Sequence, residues 1–204
     1  SKEIIESVKK EGIEILLDQN QEKSPLSLIF DFQKDRIIFS SLAKRNYSFS
    51  YRDSDTPDFI YLAHIGDYWQ EAYEKVFEFV KRNNIPIFLA PGVHQLEEFT
   101  ETFSKILSIS EIAFMNKQEA EKLLEINKIE FREDIKDLLT KVKELGPKIV
   151  SITDGTNGAY SIDKDRRTPF ILVSFLNFLN HLTYKSNKKF NSEGLLFKFS
   201  VDNV

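Results

Sequence analysis

Apolar and polar residues follow two different patterns along this chain. Between residues 13 and 50 the apolar runs are short, at 13–17, 26–32 and 36–41, and polar, turn-prone segments separate them. Within the second run the side chains alternate, so that even-numbered positions would face one side of a sheet and odd-numbered positions the other. Because no helical pattern separates these runs, we predict a small antiparallel sheet over residues 13–50, preceded by a helix at 1–11.

From residue 58 onward, strand-like runs alternate with helical stripes. The helical stripes have apolar residues three and four positions apart, which is typical of helices with one buried face. Strands are predicted at 59–63, 85–89, 112–115, 148–153 and 158–162, and helices at 68–82, 95–107, 117–124 and 135–145. Alternating strands and helices indicate a parallel sheet with helices on both faces. The predicted fold class is therefore α/β, with a mostly parallel, doubly wound sheet plus a small antiparallel β sheet.

Residues 166–204 follow neither pattern. They are rich in phenylalanine and contain a single glycine, Gly194. The predicted organisation is a small sheet at 13–50, a core made of residues 1–12 and 51–165, and an unassigned tail at 166–204. The abrupt loss of pattern leads to the hypothesis that the chain is a gene fragment whose tail is frameshifted or misassembled.

Composition and charge exclude several classes of protein for this chain. Hydrophobic residues make up 41% of the chain and charged residues 29%, which is typical of a folded globular protein. The net charge of −4 gives no field that would attract nucleic acid or an anionic membrane. The longest apolar stretch, at 169–179, is shorter than the roughly 20 residues that cross a bilayer. The absence of cysteine excludes disulfides and thiolate metal sites. We therefore expect a cytoplasmic protein without nucleic-acid or membrane partners.

Ligands of open parallel sheets bind beyond the carboxyl ends of the strands, so polar residues at those ends are candidates for function. Asn116 follows one predicted strand, and Glu119 stands three positions later. Such a pair forms a capping box at the start of a helix. The same carboxylate could hold a magnesium-bound water, because Mg²⁺ keeps several waters and takes few protein ligands. The two interpretations are compatible.

Three other strand ends have both a structural and a functional interpretation. Residues 153–158 contain Asp-Gly and Asn-Gly, which favour a β-hairpin, but the glycines would also let a nucleotide approach the backbone. The Pro-Gly pair at 91–92 is ordinary turn chemistry that could also line a cleft. His64 is either a satisfied polar residue or a ligand contact. The common phosphate-binding and esterase motifs of the Gly-rich type are absent from the chain.

In their order and spacing, these segments resemble the ribokinase-like, or PfkB-type, family of sugar and nucleoside kinases. Residues 87–92 (Ile-Phe-Leu-Ala-Pro-Gly) are similar to the family strand that ends in Asn-Pro-Gly. Residues 113–120 contain its Asn-x-x-Glu motif, and residues 145–160 are similar to its strand-turn-strand before the nucleotide site. Residues 24–38 resemble its lid strands. The resemblance covers about residues 1–165.

The resemblance implies a three-layer ribokinase-like fold that transfers the γ-phosphate of ATP to a hydroxyl group of a sugar or nucleoside. ATP and Mg²⁺ are the implied cofactors. Asn116 and Glu119 would support magnesium and phosphate, with Glu119 as the metal residue, while Thr153, Gly155 and Gly158 would border the nucleotide. The sheet at 13–50 would be a lid that excludes water, and a homodimer through this lid is a further expectation.

The chain also departs from the family pattern. The Asp-Thr-x-Gly-Ala-Gly-Asp signature, which supplies the family's catalytic base, is absent, so no catalytic residue is assigned. The first strand of the family and its Gly-Gly substrate motif are absent as well, and Ala90 stands where Asn is usual. We therefore expect a kinase fragment without its base. The alternative is a non-catalytic α/β module that binds nucleotide or dimerises.

Overall fold

A computed structural model describes residues 2–15, 26–32, 35–41, 49–50 and 56–163 of the chain. The predicted aberrant tail at 166–204 lies outside these residues. The chain forms two compact units, one with its described residues between positions 2 and 41, the other with its described residues between positions 49 and 163. The boundaries predicted at residues 13 and 50 stay a prediction.

The first unit contains a helix and a β-hairpin. Helix α1 spans Lys2–Lys10, and strands β1 (Leu26–Phe32) and β2 (Asp35–Ser41) pair antiparallel, as the alternation predicted. The additional strand predicted at 13–17 is wrong for residues 13–15, which are irregular, and its last two residues lie outside the described ones. Gly12 ends α1 with φ +74°, a left-handed conformation that turns the chain out of the helix. The short apolar run that follows does not suffice to form a strand there.

In its described residues, the second unit is built on a five-stranded sheet. Its elements, in chain order, are β3 (Ile60–Ala63), α2 (Gln70–Asn83), β4 (Ile87–Ala90), α3 (Val93–Glu98), α4 (Glu101–Ile109), β5 (Ile112–Asn116), α5 (Lys117–Ile126), α6 (Ile135–Glu144), β6 (Ile149–Thr153) and β7 (Ala159–Ile162). The strands lie in the order β3-β4-β5-β6-β7; the first four are parallel, and β7 is antiparallel to β6. The predicted α/β class with a mostly parallel sheet flanked by helices is confirmed.

One continuous hydrophobic core holds this unit together. It combines the apolar stripes of α2 to α6 with strand side chains that share one face of the sheet, among them Leu89, Ala113 and Ile152. Burial of each leucine, isoleucine, valine, phenylalanine or methionine side chain in this core stabilises the fold by about 1.5–3 kcal/mol. Among the described residues, no helix is both long and apolar enough to cross a bilayer.

The single helix predicted at 95–107 is wrong, because the structure divides it into α3 and α4. Phe99 adopts a left-handed conformation with φ +31° after the end of α3. The Thr100 side chain then accepts a hydrogen bond from the Phe103 N–H and begins α4 as its N-cap. Phe103 packs edge-on against both Phe99 and Trp69, so the break also serves the core.

Candidate functional site

An open cleft of about 300 Å³ lies at the carboxyl ends of the parallel strands. Parallel strands end at the same edge of a sheet, so the loops after β3, β4, β5 and β6 meet there. The cleft is lined by His64, Ala90, Pro91, Phe114, Met115, Asn116, Glu119, Ser151 and Thr153. Four segments that are distant in sequence therefore contribute to one site.

The start of α5 places Asn116 and Glu119 in this cleft. The Asn116 side chain accepts a hydrogen bond from the Glu119 N–H, and a Glu119 carboxylate oxygen accepts one from the Asn116 N–H, both at 2.8 Å. This reciprocal pair is the capping box predicted from the spacing. The cap fixes both side chains at the cleft, so the structural and functional interpretations do not exclude each other.

The electrostatic setting of Glu119 is that of a half-buried carboxylate. Burial raises the pKa of its carboxyl above the ordinary value of 4.5, because water no longer fully solvates the charge. The hydrogen bond from the Asn116 N–H and, after it, the nearby His64 oppose this rise in pKa to a smaller extent. A cation bound in the cleft would stabilise the ionised Glu119 carboxylate and so offset the cost of its partial burial.

Thr153 faces the same cleft from the neighbouring strand. It is the register partner of Asn116 in the pairing of β5 with β6. Gly155 and Gly158 do not line the cleft; they belong to the turn that follows Thr153 and leads into β7. That turn makes the predicted hairpin. Both glycines adopt positive φ, and no atom lies within 4 Å of the position that an added Cβ would take. The roles assigned to the five residues stay a prediction.

The loops after β3 and β4 form the opposite part of the cleft lining. His64 comes directly after β3, and its Cβ would lie only 2.6 Å from a Cβ built on Gly92. Only glycine leaves room for this approach. Gln95, in the first turn of α3, accepts a hydrogen bond from the Gly92 N–H and donates one to the Ile65 carbonyl. A buried residue outside the predicted site thus connects both loops.

Sequence reasoning missed Phe114, Met115 and Ser151 as lining residues. A signal for two of them was present, since side chains two positions apart on a strand share a face. Phe114 precedes Asn116 by two residues, and Ser151 precedes Thr153 by two. Phe114 and Ser151 are themselves register partners in the pairing of β5 with β6. No comparable signal indicated Gln95, which reads as an ordinary polar residue of a helix.

The donor atoms of the cleft suit a magnesium nucleotide. The Glu119 carboxylate, the Asn116 amide and the hydroxyls of Thr153 and Ser151 offer hard oxygen donors, which Mg²⁺ prefers. Within the part of the chain that the structure describes, no three His, Cys, Asp or Glu side chains converge. A single half-buried carboxylate fits a metal that keeps most of its waters and binds mainly through phosphate oxygens.

Comparison with known proteins identifies a matching family profile and similar folds. A family profile described as "pfkB family carbohydrate kinase" matches residues 1–173. Among curated proteins, none matches the sequence.

Three solved structures illustrate the similarity of fold. Adenosine kinase from Schistosoma mansoni, solved with 2-fluoroadenosine, has a TM-score of 0.65 at 16% identity, over 85% of this chain and 56% of that one. Ribokinase from Giardia lamblia has a TM-score of 0.57 at 20% identity, over 82% and 54%. The nucleoside kinase of Methanocaldococcus jannaschii has a TM-score of 0.55 at 21% identity, over 82% and 53%. The chain therefore spans little more than half the length of these proteins.

Proposed function

This chain belongs to the pfkB family of carbohydrate kinases, and on that premise we propose that it is part of an ATP-dependent kinase for a hydroxyl group of a sugar or nucleoside. The observation that carries the proposal is the convergence of Asn116, Glu119 and Thr153 on one cleft at the strand ends. The ribokinase-like fold supports the same reaction class. The net charge of −4 supports a small-molecule ligand over nucleic acid, and a cytoplasmic location is part of the proposal.

Each residue of the proposed site has a distinct task. Glu119 would hold Mg²⁺ through a bound water, and Asn116 would orient that carboxylate through the capping box. Thr153 would offer its hydroxyl to the nucleotide, while Gly155 and Gly158 leave the adjoining backbone open to it. When bound, Mg²⁺ supplies positive charge that neutralises phosphate oxygens. Phosphoryl transfer depends mainly on such positioning and charge, so this site needs no nucleophile of its own.

The chain itself contains no residue to which we assign the role of base. The Asp-Thr-x-Gly-Ala-Gly-Asp motif is absent from the 204 residues. That motif would activate the acceptor hydroxyl and supply backbone N–H groups to the transferring phosphate. We therefore expect this chain to retain the magnesium-nucleotide part of the site without efficient phosphoryl transfer.

Titration calorimetry and an activity assay test the two parts of this proposal separately. The chain should bind ATP saturably in the presence of Mg²⁺ and lose most of this affinity in EDTA. ADP release with a panel of sugars and nucleosides should stay at the background rate. Absence of magnesium-dependent binding would refute the nucleotide site, while rapid phosphoryl transfer would refute the loss of the base.

A second candidate function, a dimerising module, is favoured by the hairpin of the first unit. Four large apolar side chains on one face of this hairpin are more than half exposed: Leu28 (55%), Phe30 (56%), Ile37 (58%) and Phe39 (60%). Phe30 and Phe39 pack edge to face, 5.7 Å between ring centroids, which fixes them as one patch. Exposed apolar patches of this kind mark interaction surfaces. A second copy of the same hairpin would cover the patch in a two-fold arrangement.

Light scattering on the purified chain tests this dimer. The wild-type chain should have the mass of a dimer, and Phe39→Ser should have the mass of a monomer, because a polar side chain disrupts the patch. Ile109→Ser, at the end of α4, is the matched control, since Ile109 is also exposed but lies outside the hairpin. A monomeric wild-type chain, or an effect of equal size in the control, would contradict the proposal.

A further inference from the structure

Two loops that line the cleft are connected by one buried carboxamide. Gln95 has no exposed surface. Its Nε2 donates to the Ile65 carbonyl at 2.7 Å, and its Oε1 accepts from the Gly92 N–H at 3.0 Å. A buried amide that bonds at both ends keeps its two partners at a fixed separation, because either loop could move only by leaving a buried polar group unpaired.

The backbone around His64 is held from both sides. Ile65, which follows it, is bound by Gln95 of α3. The residue before His64 is Ala63, and its carbonyl accepts a hydrogen bond of 3.2 Å from the buried Tyr73 hydroxyl of α2. The close approach of His64 to Gly92 also restricts movement of the His64 side chain toward the loop after β4. His64 therefore enters the cleft from a backbone that two different helices immobilise.

We propose that Gln95 is a positioning residue of the cleft: it sets the separation of the loops after β3 and β4 and thereby holds His64 in place beside the nucleotide site. Gln95 itself does not line the cleft. Its effect on a ligand would pass through His64, which lines the cleft together with Glu119. The effect of His64 on a ligand rests on the proposed function. The role of Gln95 in setting the loop separation is independent of that function.

The chain offers a matched control for this inference. Among the described residues, Gln95 and Ser110 are the polar residues without exposed surface. The Ser110 hydroxyl donates to the Ile106 carbonyl at 2.7 Å, directly after α4, and Ser110 does not line the cleft. Ser110→Ala thus removes a buried bond between a side chain and the backbone without disturbing either loop.

The test is NMR spectroscopy of the ligand-free chain, comparing wild type with Gln95→Met, Gln95→Glu and Ser110→Ala. Gln95→Met removes both bonds, so the Gly92 amide should exchange with solvent about five to ten times faster, and the His64 ring signals should shift. Gln95→Glu is compared at a pH at which the signal of its side-chain carboxyl carbon shows the new group ionised; in that form it keeps an acceptor for the Gly92 N–H but has no donor for the Ile65 carbonyl. In this variant the His64 signals should shift while the Gly92 amide stays protected. Ser110→Ala should leave both unchanged.

Each outcome decides for or against the inference. His64 signals in Gln95→Glu that coincide with those of the wild type would overturn it, and this variant serves even if Gln95→Met does not fold. Equal shifts of His64 in Ser110→Ala would also overturn it, since the effect would then be general loosening. Titration of the wild type with Mg·ATP in the same samples tests the proposed function independently. Shifted His64 signals in a chain that binds no nucleotide would refute the function and leave the positioning role of Gln95 standing.

Discussion

Replacing Glu119 with glutamine should weaken the binding of Mg·ATP by about tenfold to a hundredfold, the range typical for loss of a group that orients metal-bound water. The helix start should survive the change. The Asn116 N–H donates to a Glu119 oxygen, and the side-chain oxygen of glutamine can accept the same hydrogen bond. What the variant loses is the negative charge that faces the cation. Binding should therefore fall without a loss of fold.

The same substitution should change the pH dependence of stability in a defined direction. Burial raises the folded-state pKa of Glu119 above its ordinary value of 4.5, so in the window between these two values the folded chain holds more protons than the unfolded one. The free energy of unfolding contributed by this group therefore decreases as the pH rises through the window and remains lower above it. Glu119→Gln has no such carboxyl. Without metal, the variant should gain stability relative to wild type as the pH rises through the window.

Calorimetric titration with Mg·ATP and urea denaturation between pH 4 and pH 8 measure the two effects. Glu121→Gln is the matched control, because Glu121 lies on the same helix and pairs with Lys117 at the surface. Neutralising Glu121 should leave nucleotide affinity within about twofold of the wild type, because Glu121 does not line the cleft and its ion pair with Lys117 is weak. Equal loss of affinity in both variants would assign the effect to the general charge of α5 and would remove Glu119 from the site.

Replacing Gly146 with alanine should lower the free energy of unfolding by roughly 3 kcal/mol, which combines left-handed strain with overpacking. Gly146 follows α6 and has φ +120°, a conformation that residues with a side chain rarely adopt. A Cβ at this position would lie 2.7 Å from the Ser108 Cα, which is backbone of α4 and cannot rotate away. The turn after α6 and the end of α4 would have to separate. The strand that follows, β6, carries Thr153, so the displacement would extend toward the cleft.

Gly155→Ala separates the two contributions to this loss. Gly155 also has a positive φ, +51°, but no atom lies within 4 Å of the position of an added Cβ. It should lose only about 1 kcal/mol, the cost of the left-handed conformation. Urea denaturation with a common slope gives the difference between the two variants. If both lose the same amount, the contact with Ser108 contributes nothing, and the close approach of α4 to this turn is not a constraint on the fold.

The elements of the fold could be predicted where one local signal controls them. The Asn116 and Glu119 spacing predicted the capping box, and the Asp-Gly and Asn-Gly pairs predicted the β6-β7 hairpin. The prediction was wrong at Phe99, because an apolar residue in a helical stripe gives no warning of a left-handed conformation. There the packing of Phe103 and the cap at Thr100 outweighed the local preference to continue the helix.

Hydrophobic period and capping are properties of neighbouring residues, so they sufficed to predict most of the strands and helices and the polar residues at strand ends. They failed at residues 13–15 and at Phe99. Contacts between distant segments place His64, Glu119 and Thr153 on one cleft and let Gln95 connect two of its loops. The parallel order of the strands brings those residues together, and strand order depends on contacts between segments many residues apart. A buried amide such as that of Gln95 acquires its role from the loops it reaches, which no pattern within its own helix encodes.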